Sequence, residues 1–195
     1  SVGWTDDWGN SALDSVSVRS GKYALKIGNE DGGRAQPFPD FVPGATYILS
    51  AWGMLSGTGG FAAQSAYIGA DIKDADGVRI ITPTAPVTDS LGWQQSSVTF
   101  TVPENAATVV IFVYLEARGI TTNSVLTDDW SLINYTSVSG VSLSPSSVTV
   151  AEGIVNQLTA TIDPEIANNK EVTWASGDTT IAKVSSTGLV QGIKE

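Results

Sequence analysis

Aromatic rings next to polar groups mark two strand-like segments as the places where this sequence could do chemistry. In residues 108–117, alternate positions are apolar, which places Tyr114 and Glu116 together on the opposite face of a strand. The same alternation in residues 46–54 places Trp52 opposite an apolar face. Sugars pack their C–H groups on aromatic rings, while their hydroxyls need amide, carboxylate or guanidinium partners. The pattern predicts a half-polar surface suited to sugars.

Polar partners for such a surface are available in residues 33–38. Gln36 and Arg34 could add hydrogen bonds from that face, and the Arg34 guanidinium would suit a uronate carboxylate. The alternatives stay open at this point. Trp52 or Tyr114 could fill a barrel end or lie beneath a loop. Glu116, Gln36 and Arg34 could be ordinary solvated surface residues.

Catalysis needs groups that this chain largely lacks. There is no histidine and no cysteine, which excludes Ser-His-Asp and Cys-His systems and zinc sites built on those ligands. A glycosidase would need two carboxyl groups at a defined separation. Glu116 stands alone on its strand face, and Asp71, which shares a face with Tyr67, lies at a distance that the sequence does not give. We therefore predict that the chain is not an enzyme.

Composition narrows the possible partners. The chain has 195 residues, with 20 acidic and 10 basic side chains and a net charge of -10. Phosphate neutralisation needs clustered Lys and Arg, so nucleic acid is excluded as a partner. Hydrophobic residues make up 42% of the chain, enough for real cores, and no apolar run approaches the ~20 residues that span a bilayer.

Strand signals dominate, and no segment predicts a helix convincingly. Short stretches rich in β-branched and aromatic residues are separated by Gly, Pro, Asp and Asn, which is typical of sandwiches and barrels. A small, polar segment at residues 134–140 precedes a change in texture to a Thr- and Val-rich module. The sequence predicts an all-β chain with domains at residues 1–137 and 138–195.

Residues 1–137 resemble the jelly-roll carbohydrate-binding modules of families four, nine and twenty-two. The segments that carry the resemblance are residues 20–27 (SGKYALKI), 43–52 (PGATYILSAW), 76–77 (DG), 92–94 (GWQ), 100–101 (FT) and 128–132 (DDWSL). The resemblance implies polysaccharide binding on a concave sheet, with Trp52, Tyr114 and Glu116 at ligand-contacting positions. It also implies a structural calcium near the chain ends, with the Asp128 side chain and backbone carbonyls near Lys22 as ligands.

Residues 138–195 resemble the group-two bacterial Ig-like domain and so predict a smaller Ig-like β-sandwich. The segments that carry this resemblance are residues 141–145 (VSLSP), 148–153 (VTVAEG), 157–161 (QLTAT), 163–164 (DP), 172–176 (VTWAS), 181–184 (IAKV) and 188–192 (GLVQG). Trp174 is expected in the core, and Gly188 suits a turn with positive φ. The family continues past the position of Gly192 into a further strand, so we expect a fragment of a longer protein.

Together these features predict a secreted or cell-surface bacterial protein that binds a polysaccharide without cleaving it. The jelly roll would target an attached enzyme or cell surface to glycan, and the Ig-like domain would act as a spacer. The alternative is a structural or adhesive segment of a large surface protein that binds no sugar.

Overall fold

The computed structural model describes residues 4, 6–28, 30–58, 65–88, 92–118 and 122–194. The chain divides into two compact units, Ser1–Asn134 and Tyr135–Glu195, whereas the sequence analysis set the boundary after Ser137. Strands of the first unit are β1 (Asp6–Trp8), β2 (Ser11–Asp14), β3 (Ala24–Gly28), β4 (Gly32–Pro37), β5 (Thr46–Gly57), β6 (Ser65–Lys73), β7 (Arg79–Ile81), β8 (Thr84–Val87), β9 (Gln94–Thr101), β10 (Thr108–Glu116) and β11 (Asn123–Tyr135).

The first unit is a jelly-roll sandwich of two sheets. In sheet I the strand order is β1-β4-β10-β6-β7, with β8 also paired to β6. In sheet II the order is β2-β3-β11-β5-β9. Within the described residues there are strands and no helix, which confirms the predicted all-β class. No helix in this part of the chain is long and apolar enough to cross a membrane.

The hydrophobic core lies between the two sheets and follows the period-two pattern of the strands. The predicted inward face of β10 is confirmed, since Val113 and Leu115 are completely buried. Ile68 of β6, in the same sheet, and Leu49 of β5, in the opposite sheet, belong to the same buried cluster. Because successive side chains alternate, this inward row leaves Tyr114 and Glu116 on the outer face of sheet I.

The second unit contains two small sheets. Its strands are β12 (Gly140–Ser144), β13 (Val155–Gln157), β14 (Thr159–Asp163), β15 (Ala182–Val184) and β16 (Leu189–Gly192). β12 pairs with β14, and β16 lies between β13 and β15. Gly188 has a φ of 84°, as predicted, and a Cβ there would lie 2.7 Å from Cζ2 of the partly buried Trp174. A glycine at this turn therefore lets the indole pack against the backbone.

Candidate functional site

Two tyrosines form an aromatic pair on the outer face of sheet I. Tyr114 of β10 lies directly opposite Tyr67 of β6 in the strand register. Their ring centroids are 5.5 Å apart with an interplanar angle of 34°, and both residues are partly buried. Their neighbours Val113 and Ile68 point into the core, so the alternation of both strands holds the rings on the outside. The pair presents two aromatic rings side by side to a ligand.

Phe112 extends this aromatic surface across β6, and Gly69 makes room for it. The two residues are opposite each other in the register. A Cβ on Gly69 would lie 2.8 Å from Cζ of Phe112 and 2.6 Å from the carbonyl oxygen of Pro83, so any larger residue would collide. The Phe112 ring also packs edge-on against Tyr67, with centroids 6.2 Å apart. Gly69 thus allows an apolar floor where a side chain would otherwise stand.

These rings line an open cleft of about 470 Å³, a volume typical of small-molecule sites. Its floor is apolar, and polar and charged groups stand at one end. The lining residues are Ala35, Tyr67, Asp71, Lys73, Arg79, Thr82, Val110, Phe112 and Tyr114.

A charged cluster forms one end of the cleft. The Arg79 Nε and Nη2 atoms donate to the two carboxylate oxygens of Asp71 at 2.5 and 3.2 Å, and Lys73 Nζ lies 3.4 Å from the same carboxylate. Thr82 Oγ1 donates a further hydrogen bond at 3.3 Å. Burial raises the pKa of Asp71, but the hydrogen bonds and charge of Arg79, with Lys73, outweigh it and hold that pKa below its usual value. Asp71 is therefore a fixed anion that anchors the two cations.

A second ion pair lies next to the tyrosines. Glu116 accepts from Arg118 Nη2 at 3.2 Å, and Arg118 Nε is 3.1 Å from the other carboxylate oxygen. Asp31 accepts the backbone N–H of Arg118, whose φ is 48°. Burial, followed by nearby charges that include Glu116, raises the pKa values of Tyr67 and Tyr114. Both phenols consequently stay protonated, and able to donate hydrogen bonds, throughout the neutral and mildly alkaline range.

The structure corrects the predicted positions of Arg34 and Gln36. Arg34 is opposite Val113 in the register and Gln36 is opposite Ile111, and both of those partners face the core. The two polar residues therefore lie on the inward side of β4 and cannot share a surface with Tyr114. The prediction was wrong because a short strand of mixed residues has no apolar row that marks its inner face.

Trp52 faces outward as predicted, but it does not share a surface with Tyr114. It lies on the outer face of β5, next to the buried Ala51, but β5 belongs to sheet II, on the other side of the sandwich from Tyr114. The Arg19 guanidinium stacks on its indole, with Cζ 3.8 Å from the ring centroid. Arg19 is in turn ion-paired with Asp129. Trp52 thus anchors the segment that carries Arg19 to sheet II, and the guanidinium covers one face of its ring.

Replacing Trp52 by alanine is expected to lower stability and leave sugar affinity unchanged within about twofold. The indole loses its cation–π contact and its packing, which together are worth ~1–3 kcal/mol. Urea unfolding measures the first effect, and calorimetric titration with a polysaccharide measures the second. Arg19→Gln is the matched control and should cost only ~0.5–1 kcal/mol, because the ring remains. A large loss of affinity in the folded Trp52→Ala protein would show that the site lies on sheet II.

The calcium predicted at Asp128 and the carbonyls near Lys22 stays a prediction, and the contacts of the Asp128 side chain lend it no support. Asp128 Oδ2 accepts the backbone N–H groups of Arg19 and Ser20 at 3.1 Å each, and its Oδ1 accepts that of Asp129 at 2.8 Å. These three hydrogen bonds use most of the ~4 lone-pair positions of the carboxylate and leave about one for a calcium ion. Among the described residues no three Asp or Glu side chains cluster around a metal position.

Asp128 instead fastens the turn at residues 19–20 to β11, and this role can be tested. We expect Asp128→Asn to lower the free energy of unfolding by ~1–3 kcal/mol, since hydrogen bonds to a charged acceptor weaken. We expect calcium chloride and EDTA to give the same melting temperature, measured by differential scanning calorimetry. A calcium-dependent rise that disappears in Asp128→Asn would restore the calcium prediction.

Most residues of the cleft were not predicted as sugar contacts from the sequence. Tyr67, Gly69, Asp71 and Lys73 alternate along one face of β6, and the sequence does contain that alternation. It does not show that β6 pairs with β10, which brings this row beside Tyr114. Arg79 is absent from any such row, because it reaches Asp71 from a separate three-residue strand.

Both units match known protein families. Residues 2–136 match the family model described as a carbohydrate-binding domain. Residues 137–195 match that of the bacterial Ig-like domain, group 2.

Solved structures share the fold of the first unit at low sequence identity. A family 16 carbohydrate-binding module superposes with a TM-score of 0.52 and 22% identity, covering 67% of this chain and 90% of the other. The CBM22-1 xylan-binding domain from Paenibacillus barcinonensis Xyn10C gives a TM-score of 0.53 and 14% identity, over 68% of this chain and 85% of that domain. At these identities the likeness establishes the fold alone.

One curated relative is an α-L-arabinofuranosidase of Bifidobacterium longum subsp. longum. It is 36% identical over 66 residues, which are 34% of this chain and 6% of the length of that enzyme.

Proposed function

The chain belongs to the carbohydrate-binding domain family, and on this premise we propose that the outer face of sheet I binds a polysaccharide without cleaving it. The observation that carries the proposal is the pair of rings of Tyr67 and Tyr114, side by side in an open cleft. Apolar faces of sugar rings pack on such surfaces, and the phenol hydroxyls supply hydrogen bonds to sugar hydroxyls. An open cleft favours this function, whereas a face filled by side chains or covered by a loop would favour the structural alternative.

Glu116 and Asp71, the two carboxylates weighed as a catalytic pair in the sequence, lie too far apart on this face to cleave a glycosidic bond together. Glu116 is opposite Ser65 in the register, six residues from Asp71 along β6. At ~3.3 Å per residue that is about 20 Å, far beyond the ~5–9.5 Å that separates the carboxyl groups of glycosidases. The ion pair with Arg79 also holds the pKa of Asp71 below its usual value, whereas a general acid must carry a proton.

Xylan is the polymer to test first. The CBM22-1 neighbour is described as xylan-binding, and it shares the sandwich that supports this cleft. In the whole protein, the binding module would keep attached domains near an insoluble polymer, and the Ig-like domain would set their separation. Such a role places the protein outside the cell, where plant or microbial polysaccharides are found.

Isothermal titration of the full chain tests the proposal. The panel comprises xylan, mixed-linkage β-glucan, mannan and polygalacturonate, and we expect saturable binding to at least one of them with no reducing sugar released. Lack of binding to every polymer would overturn polysaccharide binding. Release of sugar ends by pure protein would overturn the non-catalytic assignment.

A further inference from the structure

The charged end of the cleft has an excess of positive charge, whereas residues 1–137 as a whole are acidic. Residues 1–137 contain 7 basic and 14 acidic side chains, a net charge of -7. Among the described residues that line the cleft, Lys73 and Arg79 nevertheless stand with a single acidic residue, Asp71. This excess of positive charge is local, and it stands in the same cavity as the aromatic surface.

The two cations are the groups that face solvent. The side chains of Arg79 and Lys73 are 63% and 40% exposed, whereas that of Asp71 is 16% exposed beneath them. Asp71 uses the Nε and Nη2 atoms of the guanidinium, which carries five N–H donors in all. The remaining donors, fixed in direction by the ion pair with Asp71, are free to serve an anion that enters the cleft.

The cationic end and the aromatic pair are too far apart for a single sugar to contact both. Asp71 is four residues along β6 from Tyr67, on the same face of the strand. At ~3.3 Å per residue this is about 13 Å, longer than one pyranose ring. A ligand that reaches both ends is an oligosaccharide with a ring at the tyrosines and an acidic group farther along.

We propose that the cleft is specific for an acidic oligosaccharide, in which a uronate carboxylate accepts hydrogen bonds from Arg79 and Lys73 while another sugar, farther along the same chain, packs on Tyr67 and Tyr114. This inference rests on the proposed polysaccharide binding at the same face. A guanidinium already aligned by Asp71 loses little further freedom when it binds a carboxylate, and the charged hydrogen bond is stronger than one to a hydroxyl.

The test compares two forms of one ligand. Glucuronoxylan oligosaccharides are titrated into the full chain beside the same oligosaccharides after chemical reduction of their carboxyl groups to primary alcohols. We expect the reduced ligand to bind at least tenfold more weakly. Arg79→Gln should lose a similar factor for the acidic ligand and little for the reduced one, and Lys73→Gln should behave in the same way.

Lys194→Gln, an exposed site in the second unit, changes the net charge equally and should bind like the parent protein. Equal affinity of the parent protein for both ligands would overturn the acidic specificity and leave polysaccharide binding intact. Because the reduced ligand needs only the aromatic contacts, failure to bind either ligand or any polymer of the panel would remove the proposed function itself.

Discussion

Replacing Tyr114 by alanine is expected to weaken polysaccharide binding by about tenfold or more, and Tyr67→Ala by a similar factor. Each substitution removes a ring on which a sugar packs, a contact worth ~1.4 kcal/mol in an open site. Because the two centroids are only 5.5 Å apart, the double variant should lose less than the sum of the single losses. Isothermal titration of the three variants against the best polymer of the panel measures this.

Phenylalanine variants separate the ring from its hydroxyl. Tyr114→Phe keeps the packing surface and should retain most of the affinity. Tyr23→Ala is the matched control, since Tyr23 is 44% exposed and precedes a strand of sheet II. If both single alanine variants on sheet I bind like the parent protein, the aromatic pair does not form the site.

Gly69→Ala should disturb both stability and binding, although it adds one methyl group. That methyl would lie 2.6 Å from the Pro83 carbonyl oxygen and 2.8 Å from Phe112, and the strand backbone cannot yield as a flexible side chain would. Overpacking of this kind costs ~1–3 kcal/mol. The displaced Phe112 ring would rise into the cleft, so we expect affinity to fall in the protein that remains folded, as titration and urea unfolding can show.

Gly92→Ala is the control for this substitution, because no atom lies within 4 Å of a Cβ at that position. It should change neither the free energy of unfolding nor the affinity by a measurable amount. A Gly69→Ala protein with the stability and affinity of the parent would mean that the floor of the cleft can relax around the methyl group and that the close approach of Phe112 is not required.

The inner rows of the long strands could be predicted from the sequence alone. The apolar row of β10 identified its buried side, and Tyr114 and Glu116 followed as outward residues. That inference needs only the geometry of one strand, whose side chains alternate whatever the strand pairs with.

The alternation within one strand does not show which strands pair with it or which sheet it joins. Trp52 and Tyr114 each lie outward as predicted, yet their strands belong to opposite sheets, so they face away from each other. The register of β4 with β10 likewise decides that Arg34 faces inward. Strand pairing and register are long-range properties, since each pair joins segments that are distant along the chain.

The cluster around Asp71 shows the same limit for charges. The sequence contained Asp71, Lys73 and Arg79, but nothing in it distinguishes an ion-paired cluster in a cleft from three solvated charges. Asp128 is the converse case: its place in a family motif implied a metal ligand, whereas its oxygens accept backbone N–H groups. Partners, which only the folded chain defines, decide the role of a carboxylate.

The position of bound sugar distinguishes sheet I from sheet II as the binding face. Amide chemical shifts of the isotope-labelled full chain, followed by NMR during titration with a xylan oligosaccharide, report where the ligand lies. We expect the largest changes at Tyr67, Phe112 and Tyr114, with none around Trp52. Changes centred on Trp52 and Arg19, with sheet I unaffected, would contradict binding to sheet I.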